Sequence, residues 1–382
     1  MNYRTNPKNG DKISPLAFGC MRFPKDDNEL KKQIEYAVSN GINYFDTAYS
    51  YPKSEERLGR ALSKETREKI KIATKLPLYM VRKYEDFDKI FNKQLQRLRT
   101  TYIDYYLMHM ITDLNTWETL VSLGIVKWIS EKKKNGQIIN IGFSYHGGKI
   151  EFEKVLDSYD WEFCMIQYNY FDEFNQTGKA GLQYAAAKGL PVMIMEPLRG
   201  GELAKLPHDA EKVFESSGES RTPADWSFSW LLNQKEVLTV LSGMNTLEMI
   251  EENIKTADRS AVGVLTDADL ERYAKVREIL KSKGTVGCTG CAYCMPCPKG
   301  VDIPLCFSAY NDYFRTPKSI AKFRYLTYTV KHNASMCVSC GACETHCPQK
   351  IEIRKELRAV AKTMEGIFYR PAAYVIRKLM KL

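Results

Sequence analysis

The sequence predicts an α/β protein in which an eight-stranded (β/α)8 TIM barrel is followed by a small α-rich domain dense in cysteine. Eight short apolar runs alternate with longer amphipathic stretches between Leu16 and Gly243, which is the pattern of repeated strand–helix units. No Gly-x-Gly-x-x-Gly motif follows the first run, and this disfavours an open dinucleotide-binding sheet. Nine of the 11 cysteines lie between Cys288 and Cys347, a clustering that scattered core cysteines do not produce.

The predicted strands are the apolar runs, which are bounded by polar or glycine-containing turns. They cover residues 16–21, 43–48, 70–75, 103–109, 138–144, 163–169, 191–196 and 237–243. Ahead of them, the segment "YRTNPKNGDKIS" (3–14) has an Asn-Gly turn between polar flanks. We predict that it forms a hairpin closing the barrel floor.

Helices are predicted between and after the strands. The amphipathic stretches are residues 29–40, 87–98, 117–134, 224–234, 246–257 and 266–281. Asn-Gly or Lys-Gly at 40–41, 135–136 and 188–189 is typical of a helix end before the next strand. Strict alternation of eight strands with helices favours a closed parallel barrel.

Four ionisable residues stand where strands end, and chemistry in such barrels occurs at that end. Asp46 ends the second strand, Tyr51 lies five residues further on, Lys75 ends the third strand and His109 ends the fourth. A single polar residue at a strand end is usually a cap or another structural group. Four in consecutive units, of types suited to proton transfer, indicate a catalytic set.

The sequence resembles the aldo/keto reductase family over about residues 1–280. The matching stretches are "FDTAYSYPKSEERLGRAL", "IATKL", "IDYYLMH" and "GQIINIGFS". The resemblance implies that Tyr51 is the general acid, that Lys75 lowers its pKa, that Asp46 holds the lysine and that His109 orients the substrate carbonyl. Tyr49 lies in the same loop but lacks the family's spacing from the aspartate. A phenol with a pKa near 10 needs such a cation to act as an acid at neutral pH.

The resemblance also implies NAD(P)H contacts. Ser144, Gln167 and Asn169 match positions that hold the nicotinamide carboxamide, and Glu252 with Asn253 match the adenosine-binding helix. Around Gly243 and Met244, "SGMNTLEM" lacks the basic residues that commonly clamp a 2′-phosphate. The preference for NADPH or NADH therefore stays open, as does a flavin in the same groove.

Three other residues are candidates to face the pocket. Cys20 and Met21 end the first strand and are possible cofactor contacts, although a small buried thiol in the barrel wall is the simpler interpretation of Cys20. His146 follows the fifth strand, beside Gly147 and Gly148, which would let the loop approach a ligand.

The cysteines of the second domain have iron–sulfur spacing. "CVSCGACETHCP" (337–348) follows the bacterial ferredoxin pattern, in which three cysteines bind one four-iron cluster and the fourth binds the other. "CTGCAYCMPCP" (288–298) is similar, with one residue fewer before its last cysteine. Zinc sites use separated Cys-x-x-Cys pairs, so zinc is disfavoured. One predicted [4Fe-4S] set is Cys288, Cys291, Cys294 and Cys347, and the other is Cys337, Cys340, Cys343 and Cys297. Cys306 is either a substitute ligand or, as we expect, a buried thiol.

A chain of 382 residues is too long for one core, so several parts are expected. We predict the barrel over residues 1–283, a ferredoxin-like iron–sulfur domain with two clusters over 284–353, and a basic helical tail over 354–382. The tail interleaves apolar residues with arginine and lysine, so it could lie on a membrane surface. Packing on the barrel is the favoured interpretation.

Net charge is concentrated at the C-terminal end. Residues 284–382 hold 15 Lys+Arg against 6 Asp+Glu. Two clusters with their thiolates would cancel about four of these positive charges. We therefore expect no nucleic acid, a small-molecule substrate, and an acidic ferredoxin or flavodoxin as a possible electron carrier.

A cytoplasmic location is expected. No run of about 18 apolar residues predicts a membrane span, and "MNYRTNPKNGDK" lacks the apolar core of a signal peptide. Cysteines in such a chain serve as metal or redox ligands rather than disulfides.

The leading hypothesis is an iron–sulfur oxidoreductase of the aldo/keto reductase type that reduces a carbonyl or conjugated small molecule. A nicotinamide delivers two electrons, whereas each cluster passes one, so direct exchange needs an intermediary that tolerates a radical. The alternative is a ferredoxin-linked or flavin-dependent reductase that uses the groove without nicotinamide. A third hypothesis, an electron-transfer module with the barrel as scaffold, is disfavoured by the four polar residues.

Overall fold

Eight parallel strands close into a barrel, as predicted from the sequence. The computed structural model describes residues 1–283, 286–314, 318–366, 369 and 371–373. A short antiparallel pair, β1 and β2, precedes the barrel strands β3 to β10. The strands are β1 Arg4–Thr5, β2 Lys12–Ile13, β3 Leu16–Gly19, β4 Tyr44–Asp46, β5 Lys71–Pro77, β6 Ile103–Ile111, β7 Ile138–Tyr145, β8 Phe163–Gln167, β9 Val192–Met195 and β10 Val237–Ser242.

Each strand of the barrel pairs with its neighbour in the sequence, and β10 pairs with β3 to close the ring. The barrel interior is filled by apolar side chains from every second position of a strand, such as Tyr105 and Leu107 of β6. Ile13 of the hairpin belongs to the same cluster, which agrees with the predicted hairpin at the barrel floor.

The helices follow the predicted alternation with one difference. Residues 117–134, predicted as one helix, form two, because Gly124 adopts a φ of +91° between them and this left-handed conformation interrupts a helix. The helices are α1 Asp27–Ser39, α2 Ser54–Ala61, α3 Lys64–Lys69, α4 Glu85–Leu98, α5 Leu114–Ser122, α6 Ile125–Lys134, α7 Lys149–Asp157, α8 Gly178–Ala187, α9 His208–Glu215, α10 Pro223–Leu232, α11 Leu247–Arg259, α12 Asp267–Ser282, α13 Ile303–Asp312, α14 Lys318–Thr329 and α15 Ile353–Met364.

The chain divides into two compact units. The first contains the barrel, Met1–Pro197 with Ala224–Leu265, and the second contains Leu198–Pro223 with Thr266–Leu382. The domain boundaries predicted from the sequence stay a prediction.

The second unit has its own hydrophobic core. Helices α13, α14 and α15 contribute buried side chains to it, among them Phe307, Tyr325 and Leu357. Residues 374–382 of the predicted tail lie outside the described residues. Within the described part of the chain, no helix is long and apolar enough to cross a membrane.

Candidate functional site

Strand periodicity places three of the predicted polar residues inside the barrel. Side chains two positions apart on a strand share a face. Lys75 therefore continues the inward series that Ala73 begins on β5, and His109 continues that of Tyr105 and Leu107 on β6. Asp46, the last residue of β4, follows the inward Tyr44 in the same way.

The Lys75 ammonium is buried and fully engaged. Its Nζ donates to both carboxylate oxygens of Asp46, at 2.6 and 2.7 Å. It also donates to the Thr47 carbonyl oxygen at 2.8 Å and to the Tyr51 hydroxyl at 3.4 Å. Asp46 and Lys75 are 4% and 1% exposed, so this ion pair is almost free of solvent screening.

Tyr51 lies in the loop between β4 and α2, with its ring against Lys75 and His109. The Lys75 Nζ is 4.8 Å from the ring centroid. The imidazole of His109 stands edge-on to the phenol, with centroids 6.2 Å apart and an interplanar angle of 83°. The structure thus brings the four predicted residues together at one end of the barrel. The other loop tyrosine, Tyr49, instead lies under the Arg97 guanidinium at 4.3 Å.

A bulge positions His109. The β6–β7 pairing shifts register between Met108 and Ile111, and Met110 adopts a φ of +62°, which is unfavourable for a residue with a side chain. The Met110 N–H donates to the Ser144 hydroxyl at 2.9 Å, which supports this conformation.

Burial sets the charge state of the site. It lowers the pKa of His109 well below its usual value, and the positive charge of Lys75 and the nearby His146 act in the same direction. Burial also raises the pKa of Asp46, against the opposing pull of Lys75. At neutral pH, His109 is therefore a neutral imidazole.

The predicted nicotinamide contacts lie at the ends of β7 and β8 and after β8. Gln167 Nε2 and Asn169 Nδ2 both donate to Asp172 Oδ2, at 3.0 and 3.3 Å. Asn169 Oδ1 also accepts from the Asp172 N–H at 2.8 Å. Together with Ser144, these groups place hydroxyl and amide chemistry on neighbouring strand ends, which fits an amide ligand.

The predicted adenosine-side residues are divided between surface and interior. Asn253 is buried and donates to the Ser242 hydroxyl at 3.1 Å, while Glu252 is half-buried. Met244 is buried, whereas Gly243 is exposed.

Cys20 is fully buried, and its Sγ lies 3.5 Å from the Phe18 carbonyl oxygen. Burial raises the pKa of this thiol, and the nearby Asp46 carboxylate adds to the effect. Met21 is half-buried. Cys20 therefore has the surroundings of a small buried thiol in the barrel wall, which is the simpler of its two interpretations.

Sequence reasoning missed three residues of the site. Thr47 supplies the carbonyl that fixes Lys75, and the Ser50 hydroxyl lies 3.5 Å from His109 Nδ1. Arg22 Nη1 comes within 3.9 Å of the position that a Cβ on Gly243 would take. Arg22 stands directly after the two residues singled out at the first strand, so a search for cations in every strand-end loop would have found it.

In the second unit the eight predicted cluster cysteines form two groups, each drawn from both sequence motifs. Burial raises the pKa of Cys294 to about 12, and the nearby sulfurs of Cys288, Cys291 and Cys347 act in the same direction. Burial also raises the pKa of Cys343, whose neighbouring sulfurs are those of Cys337 and Cys297.

The second group lines a small cavity. The cysteines that line it are Cys297, Cys337, Cys340 and Cys343. Lys299, Val338 and Arg354 also line it. Cys340 is exposed at its edge. Four converging thiols around an apolar cavity fit a four-iron cluster.

Cys306 stands apart from both groups. It is fully buried in the core of the second unit, and its Sγ lies 3.5 Å from the His332 carbonyl oxygen. Burial raises the pKa of this thiol to about 12. The described residues contain no group of three or more His, Cys, Asp or Glu that could hold a single metal ion.

Comparison with known proteins matches both parts of the chain. The model described as "Aldo/keto reductase family" matches residues 15–278, and that described as "4Fe-4S dicluster domain" matches residues 287–352. The chain is 26% identical over 283 residues to the uncharacterized oxidoreductase YqkF of Bacillus subtilis, covering 64% of this chain and 88% of that protein. It is 24% identical over 292 residues to the NADH-specific methylglyoxal reductase of Escherichia coli, covering 63% and 85%.

Among solved structures, an aldo-keto reductase from Bacillus halodurans in its holo form superimposes with a TM-score of 0.61. The identity is 22%, and the match covers 72% of this chain and 96% of that one. At this identity the likeness establishes the fold of the barrel.

Proposed function

This chain belongs to the aldo/keto reductase family and carries a C-terminal 4Fe-4S dicluster domain, and from that premise we propose that it reduces a carbonyl or conjugated small molecule with Tyr51 as proton donor. The observation that carries the proposal is the Lys75 ammonium, whose hydrogen bonds reach Asp46, Thr47 and the Tyr51 hydroxyl. Family membership makes the protein an oxidoreductase. The substrate and the residue roles are the proposal.

The ion pair prepares Tyr51 for proton transfer. Asp46 and the Thr47 carbonyl hold the Lys75 ammonium with its Nζ 3.4 Å from the Tyr51 hydroxyl. When Tyr51 gives its proton to the substrate oxygen, the phenolate that remains is stabilised by this buried cation. The Asp46 carboxylate balances the charge of the Lys75 ammonium.

His109 orients the substrate oxygen. A neutral imidazole has one N–H donor and one acceptor nitrogen. Ser50 beside Nδ1 leaves Nε2 as the donor toward a carbonyl oxygen, and the Met110 bulge fixes the direction of the ring.

The hydroxyl and amide groups at the ends of β7 and β8 suit the carboxamide of NADH or NADPH. A nicotinamide bound there would supply a hydride to the substrate carbonyl carbon. The residues proposed to hold the cofactor are Met21, Ser144, Gln167, Asn169, Gly243, Met244, Glu252 and Asn253, whereas Cys20, predicted with them, is buried in the barrel wall. Arg22, whose Nη1 lies beside Gly243, is a cation available to a phosphate of the cofactor.

The two cysteine groups are the proposed ligands of two [4Fe-4S] clusters, which would supply one-electron transfer. The second group lies near the surface, because Cys340 is exposed and Val338 is 58% exposed. Lys299 and Arg354 line the same cavity. An exposed apolar residue beside basic ones suits an acidic ferredoxin or flavodoxin as electron carrier.

The carrier site is tested by the variant Lys299→Glu. Reduction of the clusters by an acidic ferredoxin should slow about tenfold and lose part of its salt dependence. Lys31→Glu, which changes an exposed lysine of α1, is the charge-matched control and should have no effect.

A ferredoxin-linked or flavin-dependent reductase is the second candidate. It is favoured by the absence of Lys and Arg from residues 242–249, where a cofactor phosphate would otherwise find a cation. Extraction of the protein under anaerobic conditions separates the two candidates. Released flavin without turnover of NADH or NADPH would support the second one.

The proposed acid is tested by Tyr51→Phe, with Tyr49→Phe as the matched control. Both variants remove a hydroxyl from the same loop. Tyr51→Phe should lower carbonyl reduction by about 10²-fold or more while the cluster absorbance stays intact. Tyr49→Phe should leave both unchanged, because Tyr49 contacts Arg97 through its ring. Equal activity of the two variants would refute the role of Tyr51.

A further inference from the structure

His146 is a buried histidine whose two ring nitrogens have no hydrogen-bond partner within the described part of the chain. The residue follows β7 directly and is 4% exposed. Neither Nδ1 nor Nε2 finds a donor or acceptor among the residues that the structure describes. A buried polar group without a partner costs about 1–3 kcal/mol, and nearly all such groups in folded proteins are paired. The two nitrogens must therefore be completed by a ligand or by ordered water.

The residue stands beside the proposed catalytic set. Its backbone N–H donates to the Ile111 carbonyl oxygen at 2.9 Å, two residues beyond His109 on the neighbouring strand. Burial lowers the pKa of His146 to about 4, and the positive charge of Lys75 acts in the same direction. The imidazole is therefore neutral at physiological pH, with one donor and one acceptor to offer.

The backbone around His146 is closely constrained. A Cβ on Gly147 would lie 2.0 Å from the Thr112 carbonyl oxygen, so only glycine fits there. The Tyr145 hydroxyl lies 2.7 Å from the Gly148 carbonyl oxygen and 3.1 Å from that of Thr112. These contacts fix the backbone on both sides of His146 and leave its side chain to a ligand.

We propose that His146 binds a second oxygen of the substrate, on the carbon next to the reacting carbonyl, and so selects α-hydroxycarbonyl compounds. This inference rests on the proposed reduction at Tyr51. Tyr51 and His109 serve the reacting oxygen, so the two nitrogens of His146 serve another polar group nearby. A hydroxyl suits it best, because a hydroxyl both donates and accepts, as a neutral imidazole does. A site built around such a bond rejects the analogue that lacks the group.

Hydroxyacetone and 2-butanone test the proposal, since they differ by a hydroxyl in place of a methyl group. The wild-type protein should reduce hydroxyacetone with a kcat/KM about 100-fold higher than that for 2-butanone. His146→Phe should bring this ratio close to one by raising the KM for hydroxyacetone, with 2-butanone affected less than about threefold. His146→Asn, which keeps one donor and one acceptor, should restore part of the preference.

Each contrary outcome has a distinct meaning. Equal reduction of both ketones by the wild-type protein, or an unchanged ratio in His146→Phe, overturns the role of His146 and leaves the proposed function standing. An equal fall for both ketones in His146→Phe shows a structural role instead. Reduction of neither ketone, nor of any carbonyl in a wider panel, refutes the proposed function and this inference with it.

Discussion

Replacement of Lys75 by methionine removes the cation beside Tyr51 while keeping an unbranched side chain of similar length. At the observed separation of 3.4 Å, a unit charge stabilises the phenolate by about 5 kcal/mol with an effective dielectric constant of about 20. If the proton is half transferred in the transition state, about half of this 5 kcal/mol stabilises the transition state. Since 1.36 kcal/mol is tenfold in rate, Lys75→Met should lower kcat by about 10²-fold.

The same change leaves the Asp46 carboxylate buried without its partner. Breaking a buried ion pair in this way costs about 3–5 kcal/mol. Burial already raises the pKa of Asp46, and the loss of Lys75 removes the group that opposed the rise. A folded-state pKa above the unfolded value means that the folded state binds more protons, so stability falls as pH rises through that window. Lys75→Met should therefore melt at a higher temperature at pH 5 than at pH 8.

The double variant Asp46→Asn/Lys75→Met separates stability from catalysis. It carries no buried charge at this pair, so it should recover most of the lost stability and show a flatter pH dependence. It should not recover activity, because the phenolate still lacks a cation. The assay is reduction of the carbonyl that the wild-type protein turns over best, with melting followed by circular dichroism under anaerobic conditions. Recovery of activity in the double variant would refute the electrostatic role of Lys75.

Three further predictions concern other parts of the chain. Cys340→Ala should remove about four irons per chain, measured by iron analysis of anaerobically purified protein, whereas Cys306→Ala should keep them all, because Cys306 lies in the core away from both groups. His146 has a pKa of about 4 in the folded state, below its usual value of 6.5, so the unfolded state takes up this proton first and the free energy of unfolding falls by about 3 kcal/mol as pH falls from 6.5 to 4. In urea titrations, His146→Phe should lose less stability than the wild-type protein over this pH range. An identical loss in the two proteins would contradict the burial of a neutral ring. Gly147→Ala should destabilise the barrel by about 2 kcal/mol or more in the same titration, because its Cβ would meet a backbone oxygen 2.0 Å away, while Gly148→Ala, where a Cβ meets nothing within 4 Å, serves as control.

The barrel could be predicted from the sequence because its signals are local. Each strand is a short apolar run ended by a turn, and the inward positions of β5 and β6 follow from the period of two. The split of residues 117–134 was missed because a single glycine inside a helical pattern is usually tolerated. Only the tertiary packing of α5 and α6 shows that Gly124 breaks the helix.

The fine structure of the site depends on contacts between distant segments. Met110 carries no local signal for a positive φ, and its conformation is supported by Ser144, 34 residues away. The engagement of Gln167 and Asn169 with Asp172 depends likewise on how the loop after β8 folds back. His146 was noticed for its glycine neighbours, yet its two unpartnered nitrogens are visible only in three dimensions.

The exchange of one cysteine between the two motifs bears on how the second domain is assembled. In the proposed ligand sets, each cluster takes cysteines from both sides of the intervening helical segment. Neither cluster can therefore be completed until residues 288–297 and 337–347 have come together. Each cluster then cross-links the same two segments, so the loop between them is closed twice. Oxidative loss of the cluster bound by the exposed Cys340 would also free Cys297. Cys297 is close in sequence to Cys288, Cys291 and Cys294, which are proposed ligands of the other cluster. Loss of one cluster would in this way weaken the other, and repair would require both clusters to be rebuilt together.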